Sequence, residues 1–193
     1  MIRTQTQIER SFVVLDYAHV AERLASFGFR LAQHEEVAPA LETAESLLQS
    51  KLTPRHIVER IHRHTMATVW VLGSPRITGF LLTIPLSAQG ERAMRDGSFR
   101  PSNPSLAHAC APGDPCFGYY CWVYGGETRD DRRSVMTACA ILRVELVPSL
   151  PIFARGATED GIRSMASLGL TPIQNAIPDL YVQEPITREA DAA

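Results

Sequence analysis

The chain has almost no lysine: of its 19 basic residues only Lys51 is lysine and the rest are arginine. We read no mechanism from that bias. It also lacks a charge excess, with 19 basic against 21 acidic residues and a net charge of −2, which argues against a nucleic-acid partner held by a general basic field. No apolar run approaches the ~18 residues that a membrane-spanning helix needs. Met1 to Arg10 has no apolar stretch of signal-peptide type. Four cysteines in 193 residues are too few for a disulfide framework, so a cytoplasmic protein with free thiols is expected. Neither a Cys-x-x-Cys nor a His-Glu-x-x-His motif is present, and His56, His62 and His64 are not spaced to share one helix face. No metal site is expected. Internal repeats and low-complexity tracts are absent.

What remains is ordinary for one globular domain: 45% apolar and 21% charged residues, in a length that suits a single core. The most informative stretch is Phe117 to Leu146. Phe117 to Val123 is aromatic and β-branched, which predicts a buried strand. Gly125-Gly126 predicts a break, and Thr128, Asp130 and Asp131 are helix-capping types. From Arg132 onward Val135, Met136, Ala138, Cys139 and Leu142 form one apolar stripe of helical period. Strand, tight turn and polar helix start make an anion cradle, because the first amides of a helix are unpaired and its dipole favours negative charge. Arg129, Arg132 and Arg133 add guanidinium groups there, with Ser134 as a further donor, and phosphate is the natural ligand. The competing reading is a solvated arginine cluster neutralised by Glu127, Asp130 and Asp131.

Around this stretch the pattern predicts a short edge strand at Ser11 to Leu15 and helices at Tyr17–Phe27 and Pro39–Lys51. A further helix starts at Thr53-Pro54, with threonine as cap, and ends near His64. Strands follow at Ala67–Leu72 and Ile77–Leu86, where Pro85 marks an end or an edge. Ala88–Asp96 reads as a short helix and Gly97–Pro115 as a long proline-rich loop. Pro151–Arg155 is a strand, Thr158-Glu159-Asp160 starts a helix running through Ile162 to Leu168, and Thr171–Ile173 with Asp179–Gln183 form a last strand pair. Residues 1–14 and 185–193 read as peripheral.

This order resembles the GNAT superfamily of N-acetyltransferases over about Pro39 to Gln183. The match is carried by the strand ending at Val123 that leads into a long helix. A second match is Ile152-Phe153-Ala154-Arg155-Gly156-Ala157-Thr158, followed by Gly161 and Ser167-Leu168-Gly169-Leu170-Thr171-Pro172, where Gly169-Leu170 stands at the family's Gly-Phe turn. The resemblance implies an α/β (α+β) fold with a mixed, mostly antiparallel sheet flanked by helices and split near the end of the Phe117–Val123 strand. It also implies an acyltransferase that moves an acyl group from acetyl-CoA or another acyl-CoA to a small-molecule or protein amine. The main chain of Trp122, Val123 and Tyr124 would lie against the pantetheine arm, and Arg129, Arg132, Arg133 and Ser134 would hold the pyrophosphate. Transfer to an amine needs a base and a proton donor. Tyr119 and Glu127 are the candidates, on the view that one of Tyr119 and Tyr120 faces the cleft, with His108 in the long loop behind them. Cys116 and Cys121 are nucleophile types for which the sequence offers no base.

Two departures stand out. The family's glycine-rich phosphate turn is replaced by Thr128-Arg129-Asp130-Asp131-Arg132-Arg133-Ser134, and its proton-donating tyrosine falls at about Met165. The toxin-activating acyltransferases, a GNAT-like group that draws on acyl carrier protein, also lack those glycines. Phe80-Leu81-Leu82, Glu91 to Gly97, Arg100-Pro101 and Gly113-Asp114 resemble their middle region. A catalytically degenerate ligand-binding or regulatory protein of the same shape stays open, as do acyl-homoserine-lactone-type synthesis and a homodimer.

Overall fold

The structure, a computed structural model, describes residues 11–156, 159–174 and 176–186. In chain order the elements are β1 (Val13–Val14), α1 (Tyr17–Ala25), β2 (Phe29–Leu31), α2 (Val37–Leu48), α3 (Arg55–Thr65), β3 (Val69–Leu72), β4 (Gly79–Leu86) and α4 (Ala88–Asp96). They continue with β5 (Pro115–Cys116), β6 (Gly118–Gly126), α5 (Arg129–Ile141), β7 (Ile152–Arg155), α6 (Glu159–Ser167), β8 (Thr171–Pro172) and β9 (Leu180–Gln183). Seven strands form a mixed sheet in the order β2-β3-β4-β6-β7-β9-β8. Its pairings are antiparallel except that between β6 and β7. The helices flank this sheet, an α/β (α+β) arrangement. No helix among the described residues is long and apolar enough to cross a membrane.

Both faces of the sheet are covered. Leu24 of α1 and Val135, Ala138 and Cys139 of α5 pack on Trp70, Leu81 and Tyr119. Ala40, Leu41 and Val58 of α2 and α3 lie on Val69, Val71, Phe80 and Leu82. Ile61 and Met94 cover Ile84, Tyr120 and Phe153 on the same side. β4 is buried at every position, as its unbroken apolar sequence requires.

Local chemistry explains where the boundaries depart from the sequence reading. Asp16 opens α1 by accepting from the amides of Ala18 and His19 (both 3.1 Å). Thr53 does not cap α3: Pro54 occupies the cap position, and the Thr53 hydroxyl donates instead to the Pro101 carbonyl at 3.1 Å. Pro85 stands one residue before the end of β4, at Leu86, on a stretch whose outer flank β3 no longer pairs. Its carbonyl accepts from the Cys110 amide at 3.0 Å on the flank that β3 has left. The missing N–H points the same way and costs the β4–β6 ladder nothing. The strand at Phe29–Leu31 has no strong sequence signal; β3 recruits it as an edge. β1 pairs with β5 in a separate two-stranded sheet rather than edging the main one. The long loop holds a short turn of helix at Leu106–His108. Residues 1–10, Ala157-Thr158 and 187–193, which the sequence reads as a polar start, part of a strand–helix motif and a tail, lie outside the described residues.

Gly125 and Gly126 do not form the expected break. They complete β6, opposite Phe80 and Gly79. A β-carbon on Gly125 would stand 2.9 Å from the Phe80 ring, and one on Gly126 2.7 Å from the Arg132 backbone nitrogen. Glycine is needed here for close approach, and the turn itself is only Glu127 and Thr128.

Candidate functional site

β6 changes character halfway. From Tyr119 to Cys121 it is paired on both sides, antiparallel to β4 and parallel to Ile152–Ala154 of β7. Beyond Cys121 it keeps only β4, while Arg155 of β7 stays with Leu180 of β9. The two central strands therefore part at Cys121. A β-bulge sits at the same point: Thr83 pairs with Cys121 and Leu82 with Val123, leaving Trp122 as the extra residue. The bulge turns Trp122 and Val123 together toward the α2–α3 side, and Tyr124 returns to the α5 side. The main chain of the three residues expected to border a ligand thus lies along a strand flank that no described strand pairs, and all three side chains are half-buried.

That flank runs directly into the start of α5, which is closed by a reciprocal cap. Thr128 accepts from the Asp131 amide at 3.1 Å, and the Asp131 carboxylate accepts from the Thr128 amide at 3.0 Å and its hydroxyl at 2.7 Å. The other carboxylate oxygen takes the Thr78 hydroxyl at 3.0 Å. Burial opposes ionisation of Asp131, yet the bonds from Thr128 and Thr78 together with nearby Arg132 hold its carboxyl below the usual range. Asp131 is therefore spent on the cap. No hydrogen bond described for this corner uses the amides of Arg129 and Asp130, which leaves them open to a ligand.

Beside them is a concavity of about 270 Å³ lined by Arg129, Asp130, Arg132, Arg133 and Met136. The three arginines expected at one spot do meet there, but in different states. Arg132 folds back to donate to the carbonyls of Gly126 (3.4 Å) and Glu127 (3.0 Å). Arg129 and Arg133 are exposed. Ser134 is half-buried and does not line the concavity.

The two residues proposed for proton transfer are placed differently. Tyr119 is 1% exposed, on the α1–α5 face, and its hydroxyl accepts from Thr83 at 3.3 Å; burial pushes its pKa up. Tyr120 is equally buried on the opposite face, edge-on to Phe99. Neither faces an open cleft, because both sheet faces are covered at this point. The Glu127 carboxylate is held by Arg76, with both oxygens 2.7 Å from one guanidinium nitrogen. Met165 is 1% exposed and packs with Ala154 and Cys121. His108 stacks on Phe99, on the far side from α5. His62 is buried and His56 exposed on α3. Among the described residues no three His, Cys, Asp or Glu side chains gather as metal ligands.

Arg76 and Thr78, which fix Glu127 and Asp131, and Met136, which lines the concavity, escaped the sequence reading. Arg76 and Thr78 lie some 50 positions from their partners, and no local pattern reveals such a pairing. Met136 did carry a signal, but as part of the core stripe. No family model matches the chain, and no curated protein matches it.

Proposed function

We propose that this chain is a divergent GNAT-type acyltransferase that takes an acyl group from a pantetheine-linked donor, acyl-CoA or acyl carrier protein, and passes it to an amine. One observation carries the reading: the flank of β6 beyond Cys121, which no described strand pairs, runs to the arginine-lined hollow of the α5 start. An extended arm terminated by phosphates fits that path, its amides along the strand and its negative charge at the helix dipole. Arg133 and Arg129 supply guanidinium donors. In the transfer the amine nitrogen bonds to the thioester carbon, the carbon–sulfur bond breaks, and the thiolate leaves. The amine's proton passes to water, with the chain contributing orientation rather than a dedicated base.

A second reading has its own support. Tyr119 is in the core, Glu127 is neutralised by Arg76, and Met165, about where the resemblance would put the family's proton-donating tyrosine, is a buried methionine. These favour a protein of GNAT shape that binds the donor without turnover.

Thermal melting with acetyl-CoA, a long-chain acyl-CoA and free CoA tests the shared premise. Binding near 100 Kd raises Tm by roughly 5–10 °C for a chain of this size. Release of free thiol with an amine acceptor then separates transfer from binding alone. No shift with any CoA, together with no retention on immobilised acyl carrier protein, overturns both readings.

A further inference from the structure

Where β6 and β7 part, two neighbouring side chains cover opposite faces of the sheet. Cys121 packs on both apolar clusters of the α5–α6 side. Trp122, the extra residue of the bulge, packs on both clusters of the α2–α3 side. Behind Cys121 the way is shut by Ala154 and Met165, 4% and 1% exposed. On the other side Leu52, from the α2–α3 loop, and Ile173 and Ala176, from the segment between β8 and β9, reach the same clusters as Trp122. The chain's other tryptophan, Trp70, is 1% exposed, and its indole N–H donates to the Ala67 carbonyl at 2.8 Å. A tryptophan that only filled the core would sit as Trp70 does. Trp122 is half-buried, on the flank of β6 that β7 has left.

We infer, resting on the pantetheine-donor reading, that Trp122 sets the acyl length the site accepts and closes the fork to all but a short acyl group. With phosphate at the α5 start, the arm runs back along β6 and its sulfur lies at the other end of that flank. From Gly126 to Cys121 a strand advances roughly 15 Å at ~3.3 Å per residue, comparable with an extended pantetheine arm. The thioester therefore arrives at the fork, and the acyl carbons beyond it meet the Trp122 indole. An acetyl group ends there. A longer chain has to displace the indole, and the strand holds it in place, because Thr83 and Leu82 pair with the residues on either side of Trp122. Removing the ring leaves an apolar space between the two clusters, and each methylene that enters it is taken out of water.

Calorimetry on the full chain with free CoA, acetyl-CoA and octanoyl-CoA reads this directly. The unaltered protein should hold acetyl-CoA at least as tightly as octanoyl-CoA. In Trp122→Ala the ratio of the two affinities should turn toward octanoyl-CoA by roughly tenfold or more, with free CoA held within about threefold of the unaltered chain. Trp122→Leu, which keeps the site apolar and better filled, should move the ratio the same way by less, and it replaces the alanine variant if that one does not fold. Where CoA is not held, acetyl- and octanoyl-loaded acyl carrier protein take its place in the same comparison. A ratio that stays put in the variants while the unloaded donor still binds overturns the inference and spares the donor reading. An unaltered chain that prefers the octanoyl donor does the same. No binding of any donor overturns both.

Discussion

The two halves of β6 are one strand with two physical roles. Tyr119 to Cys121 has a neighbour on each flank and tyrosines sealed under helices on both faces. Trp122 to Gly126 has one neighbour, half-buried side chains, and two glycines where Phe80 and α5 crowd in. The bulge at Trp122 separates them. Up to it β6 is paired with a strand on each side; past it only β4 pairs with it among the described strands. A strand flank can therefore be uncovered without a loop, by letting two strands part while the closed half stays paired on both sides.

That contrast can be broken at its strong end first. Tyr120→Ala empties a fully buried site against Phe99 and should destabilise by about 3–5 kcal/mol in urea titration. A loss below about 1 kcal/mol would remove the closed half from the core. Gly126→Val comes next, with an expected cost of about 1–3 kcal/mol, since its β-carbon meets backbone of α5 rather than a yielding side chain. It should also displace the α5 start, so CoA binding by calorimetry should fall with it. A stable variant with unchanged binding would mean that the strand and helix do not need their close approach.

The open half is tested by changes that spare the fold. Replacing exposed Arg129 and Arg133 by alanine should leave stability within about 0.5 kcal/mol. Losing charged hydrogen bonds to phosphate should weaken CoA binding by roughly 10- to 100-fold. Arg132→Ala serves as the contrast, because its guanidinium is engaged with the turn carbonyls: some stability should go, and less affinity than in the double variant. Equal effects from both would merge the roles separated here.

Legibility in the sequence follows the same line. The central strand, α4 and the last strand pair were readable because they are written locally, in apolar period, capping types and glycine stops. The meeting of Arg129, Arg132 and Arg133 at the α5 start was readable for the same reason. What escaped depends on partners far along the chain. Glycines at 125 and 126 look like a turn until Phe80 and Arg132 are known to press on them. Tyr119 and Glu127 look available until α1, α5 and Arg76 are in place. Asp131 reads as a helix-capping type, but the bond from Thr78 that also holds it comes from far along the chain.

The smallest expected effect is a pH dependence of stability. His62, 8% exposed, braces the β2–β3 side of the sheet: its Nε2–H donates to the Ala32 carbonyl at 2.9 Å, and its Nδ1 accepts from the Val69 amide at 3.2 Å. The bond from Val69 needs the neutral ring, because a protonated Nδ1 cannot accept, whereas the donation to Ala32 survives protonation. Burial lowers its pKa below the ordinary 6.5, His34 adds to this, and the Ala32 bond opposes it. The unfolded chain therefore takes up a proton near pH 6.5 that the folded chain refuses. This contribution is whole above that pH and drains as pH falls toward the folded value. The Asp131 cap acts in a lower window, because a carboxyl held below its ordinary 3.8 contributes stability until pH falls through its folded value. Between pH 7.5 and 5.5 the urea midpoint should fall, and the fall should be smaller in His62→Asn. His108, which burial also lowers, contributes in the same direction in both proteins and cancels in their difference. Identical pH slopes would mean that His62 admits its proton without losing the bond from Val69, and that this side of the sheet is looser than its burial implies.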